Sequence, residues 1–72
     1  SEALVARLFH EFPDNQEDRI TLAYQLLFGR PGTKEEMDLA KSFLNEENST
    51  DRENWNRYAQ ALLGSNEFLF ID

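Results

Sequence analysis

The chain has 72 residues, no cysteine, and fourteen acidic side chains against seven basic ones, which gives a formal net charge of -7. This length allows one small domain, and the absence of cysteine excludes disulfides and thiolate metal sites. The acidic surplus repels phosphate backbones and anionic headgroups, so nucleic acid and membrane surfaces are excluded as partners, and no apolar stretch approaches the roughly 20 residues of a transmembrane helix. The apolar content of 40% predicts a packed core.

Apolar side chains at helical spacing mark the first two predicted helices. The first stripe consists of Leu4, Val5, Leu8, Phe9 and Phe12. Pro13 ends this helix, and because no capping residue precedes the stripe, we expect the tail of a longer helix and a chain cut from a larger protein. The second helix is predicted from Gln16 to Phe28, between the caps Asp14 and Asn15 and the C-terminal Gly29.

Two capping boxes mark the next two helices. Thr33 with Glu36 opens the third helix, and Thr50 with Glu53 opens the fourth. The predicted apolar positions are Met37, Ala40, Phe43 and Leu44 in the third helix and Trp55, Tyr58, Ala59, Leu62 and Leu63 in the fourth. Gly64 is predicted to end the fourth helix.

The last eight residues carry Phe68 and Phe70, which we expect to dock into the bundle, because so apolar a segment is disfavoured in water. No useful length of the chain alternates with the period of a strand. Short connections favour antiparallel neighbours. The sequence therefore predicts an all-α fold: residues 1–72 form one compact bundle of three to four short antiparallel helices with a docked apolar C-terminal tail.

The residues predict no enzyme. The only histidine, His10, is expected to interact favourably with the helix dipole at the end of the first helix. The chain offers no second histidine and no cysteine with which His10 could build a catalytic or metal site. Glu35 and Glu36 are adjacent on a helix, so they point in different directions and form no acid and base pair. No catalytic, cofactor-binding or metal-ligating residue is predicted, and a small-molecule ligand is not expected.

Three other side chains have both a structural and a functional interpretation. Trp55 and Tyr58 are candidate binding anchors, but their position on the apolar stripe favours core packing. Arg30 is a candidate ligand-binding residue, although pairing with Glu36 or Glu67 is the simpler interpretation.

Several motifs together resemble one known family. The most specific are Gly-Arg-Pro-x-Thr at residues 29–33 and Ala-Leu-Leu-x-Ser-Asn-Glu-Phe at residues 61–68. They resemble the C-terminal end of the planctomycete domain of unknown function called PSD-one, although Gly32 replaces a common proline and Gly64 a common asparagine. The resemblance covers nearly the whole chain. It implies the end of a long extracytoplasmic bacterial protein, often one with a cytochrome-c-like domain, and it implies no activity.

Three functional hypotheses follow. The first is a non-catalytic structural or interaction module that packs against upstream domains of its own chain or docks a protein partner. The second is an accessory domain that completes a catalytic or polysaccharide-handling site formed upstream, to which Arg30 or Glu67 contributes. The third rests on residues 24–30, which resemble the helical repeats of phycobilisome-linker-like secreted proteins, but the downstream tryptophan spacing of those repeats is not met.

Overall fold

A computed structural model describes the backbone of residues 2–71 and the side chains of residues 2–64. It contains four helices: α1 (Glu2–Glu11), α2 (Gln16–Phe28), α3 (Lys34–Leu44) and α4 (Asp51–Ile71). No strand occurs between residues 2 and 71, so the predicted all-α bundle is confirmed. Within that range no helix combines the length and the apolar character needed to cross a bilayer.

The predicted capping residues begin and end the helices. The side chain of Asn15 accepts a hydrogen bond from the first turn of α2, and Gly29 ends α2 with a left-handed φ of 70°. Thr33 and Glu36 form the predicted capping box of α3. At the start of α4 the amide of Glu53 donates to Thr50 Oγ1 at 3.1 Å, and the amide of Thr50 donates to Glu53 Oε1 at 3.0 Å. Local side-chain chemistry therefore sets these boundaries.

The prediction that Gly64 ends the last helix is wrong. The backbone of α4 continues through Gly64 to Ile71, and Gly29 is the only residue with a positive φ in the described part of the chain. A single glycine lowers helix stability by about 1 kcal/mol without breaking the hydrogen-bond ladder, so it does not stop a helix. The expected docking of Phe68 and Phe70 lies outside the described side chains.

The core is built from all four helices. Its buried apolar residues are Val5 and Leu8 of α1, Ile20, Ala23 and Tyr24 of α2, Ala40 and Leu44 of α3, and Trp55, Tyr58, Ala59 and Leu62 of α4. Both α2 and α4 pack against each of the other three helices. The predicted central position of the second helix is thus shared with α4.

The third helix turns part of its predicted apolar side outward. Ala40 and Leu44 are buried as expected, but Phe43 is 42% exposed, and Leu39, which is not on the predicted stripe, is 71% exposed. One residue corresponds to about 100° of rotation on a helix, so Phe43 cannot face the core as directly as Leu44. The centroid of its ring lies 5.5 Å from that of Tyr58, so the side chain packs partly against α4.

Candidate functional site

Leu39 and Phe43 lie one turn apart on the exposed side of α3. At four residues' separation their side chains are neighbours on the helix surface. The described side chains include three exposed large apolar residues, and these two are the only pair that shares a helix, since the third, Leu26, belongs to α2. We call Leu39, Phe43 and the groove beside Phe43 the Leu39–Phe43 surface.

The groove lies where the end of α3, the following loop and α4 meet. It has a volume of about 430 Å³ and is lined by Ser42, Phe43, Glu46, Asn48, Ser49 and Arg57. The guanidinium of Arg57 donates to Asn54 Oδ1 at 2.6 Å and to Ser49 Oγ at 3.3 Å. This basic side chain is therefore held on the groove wall by neutral partners.

The buried side chain of Asn54 supports the wall of the groove. It is 1% exposed, and its Nδ2 donates to the carbonyl oxygens of Leu44 at 3.0 Å and Glu46 at 3.1 Å. These carbonyls belong to the end of α3 and the loop after it, where helices leave acceptors unpaired. Asn54 thus ties α4 to the end of α3 and gives the groove a fixed shape.

The charges around Leu39 and Phe43 are mostly acidic. Glu35, Asp38 and Glu46 are exposed on α3 or just after it. Lys41 is the only basic residue between positions 35 and 50, and its ammonium is paired with Glu17 of α2. Arg57 is the one cation in the groove lining. The apolar pair therefore lies in a region of negative potential.

Arg30 forms the predicted ion pair with Glu36. Its two terminal nitrogens donate to the two carboxylate oxygens at 2.8 and 3.0 Å, and the amide of Thr33 donates to Glu36 Oε1 at 2.8 Å. The hydrogen bonds from Arg30, followed by that from the Thr33 amide, lower the pKa of Glu36 to about 2. This two-pronged contact fixes the turn between α2 and α3 and occupies the arginine.

Trp55 and Tyr58 are core residues, as their spacing predicted. Trp55 is 1% exposed, and its ring packs edge-on against Tyr58 with 5.6 Å between centroids. The hydroxyl of Tyr58 lies 3.2 Å from that of Tyr24, which joins α4 to α2 in the interior. Burial, with a contribution from this hydrogen bond, raises the pKa of Tyr58. Neither side chain lies on the surface.

Sequence reasoning missed a second buried polar residue, Arg19. Only 4% exposed, it donates from Nη1 to the carbonyl oxygens of Phe12 at 2.9 Å and Pro13 at 3.1 Å, just beyond the end of α1. Its guanidinium lies 4.2 Å from the ring centre of Phe9. Burial lowers the pKa of Arg19, and the charges of Asp51 and Asp14 oppose that shift.

Arg19 and Asn54 occupy the same position in their helices, the fourth residue of α2 and of α4. Each reaches back to carbonyls at or after the end of the preceding helix. A polar residue in register with the apolar stripe at this position, following a short connection, is the sequence signal that would have found both. Their role is to join consecutive helices.

The remaining predicted candidates do not converge. His10 lies exposed in the last turn of α1, whereas Glu35 lies exposed in the first turn of α3. In the described part of the chain no group of three or more histidine or acidic side chains is arranged to hold a metal ion.

No known protein family, curated protein sequence or solved structure matches this chain. The similarity to PSD-one therefore stays a prediction from the motifs.

Proposed function

We propose that this chain is a non-catalytic helical interaction module that docks a protein partner on the Leu39–Phe43 surface. The observation that carries the proposal is the 71% exposure of Leu39 beside the half-exposed ring of Phe43, at the edge of a groove. Contiguous exposed apolar side chains with polar residues around them mark interaction sites.

The surface is also suited to docking because its support is rigid. Leu44 and Ala40 anchor the inner side of α3 in the core, and Asn54 ties the end of α3 to α4. A helix held on both sides changes little on association, so the entropic cost of binding is low. Most of the free energy gained by burying Leu39 and Phe43 then contributes to affinity.

We also propose the kind of protein in which the module occurs. As the resemblance to PSD-one implies, the module ends a long extracytoplasmic bacterial protein, and its partner is a protein or an upstream domain of that chain. The alternative role, in which Arg30 completes an upstream catalytic or polysaccharide site, has less support because Glu36 already binds the guanidinium through two hydrogen bonds.

Selection from a random peptide library on the folded chain tests the proposal. Peptides are selected on the unchanged chain and counter-selected on the double variant Leu39→Ser, Phe43→Ser. We expect peptides that prefer the unchanged chain by at least about tenfold in affinity, since truncating a binding anchor costs about 1.4 kcal/mol or more.

Leu26→Ser is the matched control, because Leu26 is 40% exposed on another helix, close to the 42% of Phe43. The control should bind the selected peptides within about twofold of the unchanged chain. Circular dichroism melting confirms that all variants fold. Selected peptides that bind the double variant equally well, or a library that yields none, would show that this surface is not a docking site.

A further inference from the structure

We infer that the partner of the Leu39–Phe43 surface is a short basic amphipathic helix, with apolar anchors one turn apart and lysine or arginine beside them. This inference rests on the proposed docking function and adds the chemistry of the partner. Its basis is the arrangement of charged side chains around Leu39 and Phe43 on α3.

The residues around Leu39 and Phe43 carry negative charge. On a helix the residues three and four positions away surround a side chain. For Leu39 these neighbours include Glu35, Glu36 and Ser42. Glu46 follows the end of α3 and lines the groove beside Phe43. Each charged residue in this set is acidic, and Glu36 alone is paired with a cation, Arg30.

The nearby cations are held by other side chains. The ammonium of Lys41 is bound to Glu17 across the α2–α3 contact, so it does not neutralise the outer side of α3. Arg57 lines the groove, where Asn54 and Ser49 hold its guanidinium. The acids beside Leu39 therefore have no basic partner among the described side chains, apart from the Arg30 contact with Glu36.

The charge of a partner must complement the carboxylates beside Leu39 and Phe43. An apolar pair with carboxylates beside it favours a partner in which lysine or arginine accompanies the apolar anchors, because opposite charges steer encounter and fix the register. An acidic surface on a chain of net charge -7 disfavours a second copy of itself. Two anchors one turn apart on α3 match the four-residue spacing of anchors on another helix.

Three synthetic helical peptides of roughly 18 residues test the inference, a length at which isolated helices become appreciable. They share one apolar face of leucine and phenylalanine and differ only in the charged positions, which are lysine, glutamine or glutamate. Fluorescence anisotropy measures the binding of each labelled peptide to the full 72-residue chain. Titrations are run at about 50 mM and about 500 mM salt.

We expect the lysine peptide to bind at least about tenfold more tightly than the glutamine peptide at low salt, and the glutamate peptide to bind most weakly. Leu39→Ser and Phe43→Ser should each weaken the lysine peptide by about tenfold, while Leu26→Ser should change it by less than about twofold. Glu35→Gln combined with Glu46→Gln should reduce the preference for lysine over glutamine.

The other outcomes separate the two proposals. If all three peptides bind equally and the Leu39 and Phe43 variants weaken each of them, the docking surface stands and the basic partner is wrong. If the lysine peptide binds the Leu39 and Phe43 variants as tightly as the unchanged chain, the attraction is general to the acidic surface and the inference fails. If none binds, both the basic helical partner and this docking surface are contradicted.

Discussion

At the scale of single residues, two buried polar side chains donate hydrogen bonds to backbone carbonyls near the ends of helices. The carbonyls at the end of a helix have no partner within it. Arg19 serves the carbonyls after α1 and Asn54 serves those at the end of α3. Each of these residues is buried, so losing it leaves polar atoms without hydrogen bonds in the interior, where the energetic cost is high.

Replacement of Arg19 is therefore expected to destabilise the fold strongly. Arg19→Met keeps a long side chain but removes both hydrogen bonds and the contact of the charge with Phe9, and should lower the free energy of unfolding by about 2–3 kcal/mol. Arg19→Lys should recover only part of this loss, since an ammonium lacks the planar fork. Urea unfolding measures both changes.

Arg7→Met is the control for this experiment, because Arg7 is exposed on α1. It should shift the free energy of unfolding by no more than about 0.5 kcal/mol. An Arg19→Met variant as stable as Arg7→Met would mean that the guanidinium does not hold the α1–α2 connection.

At the scale of helices, the predicted boundaries were correct where a local capping pattern sets them. The capping boxes of Thr33 and Thr50 and the end of α2 at Gly29 need only a few neighbouring residues, and all three are confirmed. Gly64 carries the same residue type as Gly29 without the left-handed backbone. Composition alone does not distinguish a glycine that ends a helix from one that lies within it.

Replacing each glycine by alanine distinguishes the two roles. Gly64→Ala should raise the free energy of unfolding by about 0.5–1 kcal/mol, because alanine favours the helix and a Cβ at this position meets no atom beyond the local helix backbone within 4 Å. Gly29→Ala should lower it by about 1 kcal/mol, since its φ of 70° strains any side chain. Thermal melts of both variants provide the measurement.

The two glycine variants control each other, because they make the same chemical change at opposite backbone conformations. A destabilised Gly64→Ala variant would indicate that the last helix ends at this glycine after all. A neutral Gly29→Ala variant would argue against the left-handed end of α2.

At the scale of the whole molecule, the bundle was predictable because apolar spacing reports which side of each helix is buried. The exposure of Phe43 was not, since it depends on how far α3 is rotated against α4, and several neighbouring rotations satisfy the same apolar pattern. The candidate site therefore came from packing between helices. Arg19 and Asn54 were missed for a related reason, because their partners lie in another element.

Carboxylates in ion pairs make the free energy of unfolding of the bundle depend on pH in the acid range. The pKa of Glu36 is lowered to about 2 by Arg30 and Thr33, and that of Glu17 is lowered by Lys41. As pH falls, the unfolded chain takes up protons near the ordinary value of 4.5 before the folded chain does. The contribution of Glu36 is therefore complete above pH 4.5 and lost as pH falls from 4.5 toward 2.

Glu36→Gln tests this dependence, because glutamine retains the capping box but cannot pair with Arg30 as an anion. The unchanged chain should have the higher urea midpoint near neutral pH, and the difference should shrink as pH falls toward 2. Glu35→Gln is the neighbouring control and should show a smaller difference throughout. A Glu36→Gln effect that does not vary with pH would show that the ion pair does not contribute.

The central claim is that one exposed side of α3 is the docking surface, and amide chemical shifts during titration with the lysine peptide test it most directly. We predict the largest shifts at Leu39 and at the groove residues Ser42, Phe43, Glu46 and Arg57, with Leu26 nearly unchanged. Shifts centred on another helix, or spread evenly over the acidic residues, would contradict the account.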